Sequence, residues 1–177
     1  MTIVAVILAG GASQRMGQEK ASMYGGVNRI ERCLADADIQ RCVVLCGDEG
    51  RTSMFEGEVF ADPPHLRGLH QIIPWIRDEL GASILLVPCD AFLLSSEAIK
   101  VFLAASPTGG VPTDEEGRRQ PLFAHLPVDV ELNNAATSVS TLLEGLPTVD
   151  VVQHGSAFSN FNRPSDLQHP QLSNRRL

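Results

Sequence analysis

A glycine-rich stretch near the start of the sequence holds the residues best suited to bind phosphate. It reads LAGGASQRMGQEK, runs from Leu8 to Lys20 and directly follows an apolar run. Gly10 and Gly11 let a ligand approach the backbone closely, while Arg15 and Lys20 bring positive charge to an acidic chain. Two familiar phosphate loops are excluded, because neither G-x-G-x-x-G nor G-x-x-x-x-G-K followed by Ser or Thr is present. A polyphosphate is the expected ligand, and a solvated glycine-rich connection is the alternative.

Two aspartates follow apolar runs that are typical of strands. Asp90 comes after residues 84–87, and Asp62 comes after residues 58–61. In an open α/β sheet ligands lie outside the carboxyl ends of the strands, so Asp90 is expected across a crevice from the glycine-rich stretch. Mg²⁺ prefers hard oxygen ligands and is usually held by one or two carboxylates together with substrate phosphates. Asp90 is thus suited to Mg²⁺, and an aspartate in a turn or a helix cap is the alternative.

Alternating strand and helix patterns predict the elements that position these residues. Continuous apolar runs indicate strands buried on both faces, at residues 3–8, 42–46, 58–61 and 84–87. Apolar spacings of three and four indicate helices at about residues 30–37, 66–80 and 95–105. Pro74 is expected to bend the second helix or to mark its start. The alternation predicts an open α/β sheet, with weaker signals for a strand at 120–125 and a helix at about 128–143.

Length and composition restrict the class of function. The 177 residues suit one domain over 1–177, with a frayed tail at 168–177. The formal net charge of -7 argues against general nucleic-acid binding. No apolar run approaches the roughly 18 residues of a membrane helix, so we expect a cytoplasmic protein without a membrane partner. The cysteines lack the spacing of a zinc site, and we expect reduced, buried thiols at Cys33, Cys42, Cys46 and Cys89.

The glycine-rich stretch resembles L-A-G-G-x-S-x-R-M-G-x-x-K, the signature of nucleotidyltransferases related to molybdenum cofactor guanylyltransferase. Every fixed position of that signature is present. The resemblance implies an α/β fold with three layers and a mostly parallel central sheet, Rossmann-like and of the nucleotide-diphospho-sugar transferase type. It also implies a loop that wraps the triphosphate of an NTP. The implied contacts are Leu8, Ala9, Gly10 and Gly11 near the nucleotide, with Lys20 and Arg15 on the phosphates.

Further segments match the same family in the same order. Pro88-Cys89-Asp90 resembles a P-C-D motif whose aspartate is the metal ligand, and Asp62 matches the position that faces the nucleotide. Two segments of the second half resemble the acceptor site, Q-P-L-x-A at 120–124 and F-x-N-x-N-T-P-x-D-L at 158–167. The acceptor contacts that follow from the resemblance are Arg119, Gln120, Pro121, Asn160 and Asn162. The sequence departs from the family at residues 26–30, at His65 and at Arg163.

The reaction that the resemblance implies is Mg²⁺-dependent attack by the phosphate of a molybdopterin-type acceptor on the α-phosphorus of GTP. The attacking group is already anionic and needs no general base, so catalysis should come from positioning and from charge neutralisation by Mg²⁺ on Asp90, by Arg15, by Lys20 and by N–H groups of the loop. Alternatives are a cytidylyltransferase for the same cofactor, a sugar-phosphate nucleotidyltransferase and a non-catalytic nucleotide-binding relative. The expected partners are GTP, the acceptor and molybdoenzyme maturation proteins.

Overall fold

Strands and helices alternate through the first part of the chain. The computed structural model describes residues 2–10, 23, 25–159, 161 and 168–173. The strands are β1 (Ile3–Leu8), β2 (Arg41–Gly47), β3 (Glu58–Ala61), β4 (Ser83–Pro88), β5 (Val111–Pro112), β6 (His125–Leu126) and β7 (Thr148–Val149). The helices are α1 (Gly26–Asp36), α2 (Leu69–Leu80), α3 (Ser96–Ala105), α4 (Val139–Leu142) and α5 (Pro170–Ser173). Within these ranges no helix is long and apolar enough to cross a membrane.

The central sheet is mostly parallel. Its strand order is β3-β2-β1-β4-β6 among the described residues, and β5 pairs with β7 in a separate small sheet. β1 is parallel to both β2 and β4, with Leu8 opposite Leu45 on one side and Pro88 on the other. β6 alone runs antiparallel, beside β4. The four strands that apolar runs predict are therefore confirmed, and their carboxyl ends meet at one edge of the sheet.

Alternate residues of the central strands face opposite sides and bury two separate clusters. Ala5 and Ile7 pack with α1 and α3 in one cluster, whereas Val4 and Val6 pack with α2 and α4 in the other. Successive side chains of a strand point to opposite faces, so a strand that is apolar at every position needs helices on both sides. This arrangement confirms the predicted three-layer α/β fold.

The second half of the chain is less regular than the sequence predicts. The helix predicted at 128–143 is wrong apart from the single turn of α4. Asn133 breaks the pattern, because its side chain accepts a hydrogen bond from the Ala135 N–H at 3.1 Å and donates to Glu144 at 2.8 Å. The strand predicted at 120–125 is wrong apart from His125, where β6 begins, since Pro121 opens a 3-10 turn over Pro121–Phe123.

The second predicted helix begins later than its apolar pattern. Residues 66–68 precede α2, and Gly68 has φ 83°, which ends any helical path through that residue. Leu66 instead donates its N–H to the Pro63 carbonyl at 3.0 Å in a turn. Pro74 lies inside α2, so it does not mark the start of the helix.

One residue of the tail that is expected to fray, residues 168–177, packs against the rest of the protein. Leu172 is only 1% exposed and packs with Phe92, Leu93 and Phe161 in a third apolar cluster. A single leucine in a polar segment does not predict burial from the sequence. In the structure this leucine is buried because it packs against aromatic side chains. Residues 174–177 lie outside the described residues.

Candidate nucleotide-binding site

The end of β1 is held from both sides by its neighbours. The Ala9 N–H donates to the Leu45 carbonyl at 2.9 Å, and the Cys89 N–H donates to the Leu8 carbonyl at 3.1 Å. Gly10 follows at the exposed edge, where a Cβ would lie 2.9 Å from the Cα of Gly47. Glycine is thus required at position 10 by the close approach of two strand ends. The predicted nucleotide contacts Leu8, Ala9 and Gly10 all lie at the carboxyl edge of the sheet.

Asp62 stands at the same edge, beyond β3. Its N–H donates to the Gly47 carbonyl at 2.7 Å, which places the aspartate next to the end of β2. The pairing of β2 with β3 shifts register between Leu45 and Gly47, and Gly47 has φ 82°. This bend brings position 62 toward the end of β1. Burial raises the pKa of the half-buried Asp62 carboxyl above its ordinary value.

A cleft of about 350 Å³ opens between the end of β1 and the start of α2. Leu8, Leu45 and Ile72 supply apolar walls, and Asp62 and Arg67 supply charged groups. A larger opening of about 690 Å³ continues from it past Asp48 and Pro63. An apolar slot with a few polar groups at its rim suits a planar base with hydrogen-bonding edges.

Asp90 is buried at the edge beside β1. Only 5% of it is exposed, and it lies in the turn that directly follows β4. Backbone bonds form this turn, with Ala91 donating to Pro88 at 3.1 Å and Phe92 donating to Asp90 at 2.7 Å. Arg29 of α1 also donates to the Ala91 carbonyl, so the turn is fixed to a neighbouring helix.

The donor set at this edge fits Mg²⁺ that arrives with a nucleotide. Within the described part of the chain, no group of three or more His, Cys, Asp or Glu side chains forms a metal cluster. A single carboxylate is sufficient where substrate phosphates and water complete the octahedron. Asp90 fits that requirement, because it follows β4, which pairs with β1, and the glycine-rich stretch departs from the end of β1.

The predicted acceptor residues of the second half bind other parts of the protein. The Arg119 guanidinium donates to the carbonyls of Leu143 and Leu146, the second at 2.9 Å, and burial lowers the pKa of this arginine. The Gln120 side-chain amide donates to Asp114 at 2.8 Å, and Pro121 begins the 3-10 turn. Arg119 and Gln120 therefore hold their own loop in place, and contact between them and an acceptor stays a prediction.

Asp114 organises this loop, and sequence reasoning missed it. Its buried carboxylate accepts the N–H groups of Glu116 and Arg118, each at 2.9 Å, and the Arg118 Nε at 2.9 Å. Burial alone would raise the pKa of Asp114, but the hydrogen bonds from Arg118 and Glu116 outweigh it and hold the pKa below its ordinary value. The available signal was an aspartate at the start of the polar turn, four residues before an arginine.

Several predicted site residues lie outside the described residues. These are Gly11, Arg15, Lys20, Asn160 and Asn162. Their roles on the phosphates and the acceptor stay predictions. The structure brings together Leu8, Ala9, Gly10, Asp62 and Asp90 at one edge of the sheet.

Fold and site together define an α/β protein whose ligand cleft lies outside the carboxyl ends of parallel strands. The chain matches the family described as MobA-like NTP transferase domain over residues 5–146. It belongs to that family and is a nucleotidyltransferase of the MobA-like type.

Solved structures of nucleotidyltransferases share the fold. Molybdopterin-guanine dinucleotide biosynthesis protein A from Archaeoglobus fulgidus superposes with a TM-score of 0.67 at 20% identity, covering 93% of this chain and 95% of that chain. A nucleotidyl transferase from Methanothermobacter superposes with a TM-score of 0.66 at 17% identity, covering 98% of this chain and 96% of that chain. For 4-diphosphocytidyl-2C-methyl-D-erythritol synthase from Anaerococcus prevotii the TM-score is 0.59 at 11% identity, covering 99% of both chains. No curated protein sequence matches the chain significantly.

Proposed function

We propose that this nucleotidyltransferase joins the GMP moiety of GTP to the terminal phosphate of a molybdopterin-type acceptor and releases pyrophosphate. The observation that carries the proposal is the meeting of Gly10, Asp62 and Asp90 at the edge where the glycine-rich stretch begins. The family of the chain and the cleft beside Leu8 support it.

The polar groups of the cleft favour guanine as the base. A carboxylate such as Asp62 accepts hydrogen bonds only, and the pairing edge of guanine presents two adjacent donors, N1–H and the exocyclic amino group. Cytosine offers a single amino donor beside two acceptors, which a carboxylate repels. Asp62 and the apolar walls from Leu8 and Ile72 thus support GTP over CTP as the substrate.

The chemistry requires positioning and neutralisation of charge. An acceptor phosphate oxygen forms a bond to the α-phosphorus of GTP, while the bond from that phosphorus to the α,β-bridging oxygen breaks. The electron pair leaves with pyrophosphate, and no proton has to be removed from the nucleophile. Arg15 and Lys20 would balance the triphosphate charge, and Asp90 would hold Mg²⁺. When bound, the metal supplies charge stabilisation to the phosphoryl oxygens.

Pyrophosphate release tests the proposal directly. GTP and CTP are offered in parallel with Mg²⁺ and a molybdopterin-loaded acceptor. We expect release with GTP, lowered on the order of 10² to 10³-fold in Lys20→Ala and Asp90→Asn. Asp129→Asn neutralises an exposed carboxylate and should leave the rate unchanged.

The other outcomes separate the alternatives. Release with CTP alone would identify a cytidylyltransferase. Binding of GTP without release would indicate a different acceptor or a non-catalytic relative. Full activity in Asp90→Asn would show that the metal assignment is wrong.

A further inference from the structure

The third apolar cluster joins the end of the chain to the Asp90 turn. Phe92 and Leu93, two and three residues after Asp90, are 1% and 4% exposed. Phe161 covers Phe92 with a ring-centroid distance of 5.4 Å, and Leu172 fills the same cluster. Met23, just beyond the glycine-rich stretch in the sequence, packs against it.

We infer that residues 168–173, here called the C-terminal segment, are a positioning element that fixes the Asp90 turn for binding of metal and nucleotide. The inference rests on the proposed function, in which Asp90 is the metal ligand. The segment belongs to the part of the chain that sequence reasoning treats as a frayed tail.

The apolar residues of the Asp90 turn require a cover. Two consecutive large side chains, Phe92 and Leu93, are buried in a cluster separate from the two on the sheet faces. On the other side, Arg29 holds the backbone of this turn through the carbonyls of Ala91 and Leu94. Loss of the Leu172 side chain would leave a cavity beside Phe92 and Leu93, on the face of the turn that Phe161 also covers.

The C-terminal segment also reaches the polar turn that Asp114 organises. Gln171 donates its N–H to His169 Nδ1 at 3.3 Å, so Nδ1 is an acceptor and the ring proton is on Nε2. That nitrogen lies 3.2 Å from Glu115 Oε1 and can donate to it. Glu115 itself sits on a tightly packed turn, because a Cβ on Gly155 would lie 2.5 Å from the Glu115 nitrogen.

The C-terminal segment therefore contacts two turns that lie in separate parts of the sequence. One follows β4 and carries Asp90, and the other lies between β5 and β6 and carries the predicted acceptor residues Arg119 and Gln120. Because the C-terminal segment contacts both turns, it keeps the distance between the metal ligand and this loop constant. Partners that orient a ligating side chain typically matter about 10- to 100-fold in metal affinity.

Mn²⁺ binding tests the inference with a readout that does not need turnover. Mn²⁺ is titrated by electron paramagnetic resonance into the full chain with excess guanosine 5′-(α,β-methylene)triphosphate, at a temperature where circular dichroism shows every variant folded. We expect Leu172→Ala to weaken Mn²⁺ affinity about 10-fold. The conservative Leu172→Met, which keeps the volume, should restore it. The matched control is Leu126→Ala, an equal truncation of a fully buried leucine in the cluster against α2.

The outcomes distinguish the inference from the proposed function. If Leu172→Ala binds Mn²⁺ as tightly as Leu126→Ala does, while Asp90→Asn loses binding, the role of the C-terminal segment is overturned and the metal assignment stands. If Asp90→Asn binds Mn²⁺ like the unaltered protein, the metal assignment and this inference both fall. If Leu172→Ala does not fold, Leu172→Val, which removes a single methylene, is titrated in its place and should show a smaller loss in the same direction.

Discussion

Replacing Gly10 with alanine would force apart the ends of β1 and β2. The new Cβ would lie 2.9 Å from the Gly47 Cα and 3.0 Å from the Gly47 nitrogen. Both are backbone atoms and cannot rotate away, so one strand end has to shift. Overpacking of this kind costs roughly 1–3 kcal/mol.

Whether the end of β1 or the end of β2 shifts determines whether GTP binding or the free energy of unfolding changes. If Gly47 moves, its hydrogen bond from Asp62, 2.7 Å long, is strained and the free energy of unfolding falls by that amount. If Gly10 moves, the glycine-rich stretch that follows it moves as well, and GTP binding is weakened. A cost of roughly 1–3 kcal/mol corresponds to about a 5- to 150-fold loss of GTP affinity. Urea unfolding and isothermal titration with GTP measure the two parts separately.

Two other glycines give the controls. Gly145 has open space around a Cβ and no positive φ, so Gly145→Ala should change unfolding by less than about 0.5 kcal/mol. Gly57 also has open space but φ 80°, so Gly57→Ala should lose roughly 1–2 kcal/mol of stability without any change in GTP affinity. The reasoning is refuted if Gly10→Ala matches Gly145→Ala in both unfolding midpoint and GTP affinity.

Three more predictions concern stability and reactivity. Because hydrogen bonds hold the pKa of Asp114 below its ordinary 3.8, its stabilisation is present at neutral pH and is lost as the pH falls through the lowered value. Urea unfolding should therefore show a stability gap between Asp114→Asn and the unaltered protein at pH 7 that narrows as the pH falls below 3.8. Arg119→Met should cost roughly 1–3 kcal/mol in the same assay, because it removes the guanidinium donor from the Leu146 carbonyl and from the Leu143 carbonyl, which keeps only the Leu146 N–H; no loss would mean that water replaces the guanidinium. Burial, with a further contribution from Glu31, raises the pKa of Cys42 to about 11, so this thiol should resist a thiol reagent at pH 8 in the native protein. Cys42→Ser should then leave the number of rapidly labelled thiols unchanged, and a lower number would contradict the burial argument.

The parallel core could be predicted from the sequence because its signal is local. Residues 3–8 and 84–87 are apolar at every position, which only a strand covered on both faces tolerates. The helices between them carry a clear three- and four-residue spacing, and the turn residues Gly47, Asp62 and Asp90 mark the strand ends. Since parallel strands end at one edge, the placement of Asp62 and Asp90 near Gly10 followed from the order of elements.

The second half could not be predicted equally well, because distant contacts hold it. The irregular run from Val128 to Ser138 has apolar residues at helical spacing, yet the side chain of Asn133 accepts the Ala135 N–H and the apolar residues pack from a loop. Arg119 looks like an exposed phosphate ligand in sequence, and its bonds to carbonyls some 25 residues away become visible only in the fold.

The sequence by itself determined the glycine-rich stretch, the strands that precede and flank it, and the class of chemistry, since each depends on neighbouring residues or a fixed short spacing. Only the tertiary structure decided that Gly10 must be glycine because Gly47 approaches it, that Asp114 organises the polar turn, and that Leu172 covers the turn of Asp90. The contact of Gly10 with Gly47 spans 37 positions, the hydrogen bonds of Asp114 span two to six, and the packing of Leu172 on Phe92 spans 80. The first and the last depend on the packing of separate elements. Composition and periodicity report on the helix or strand to which a residue belongs. A close approach or a buried contact instead depends on both residues that meet, and only the fold brings those two together.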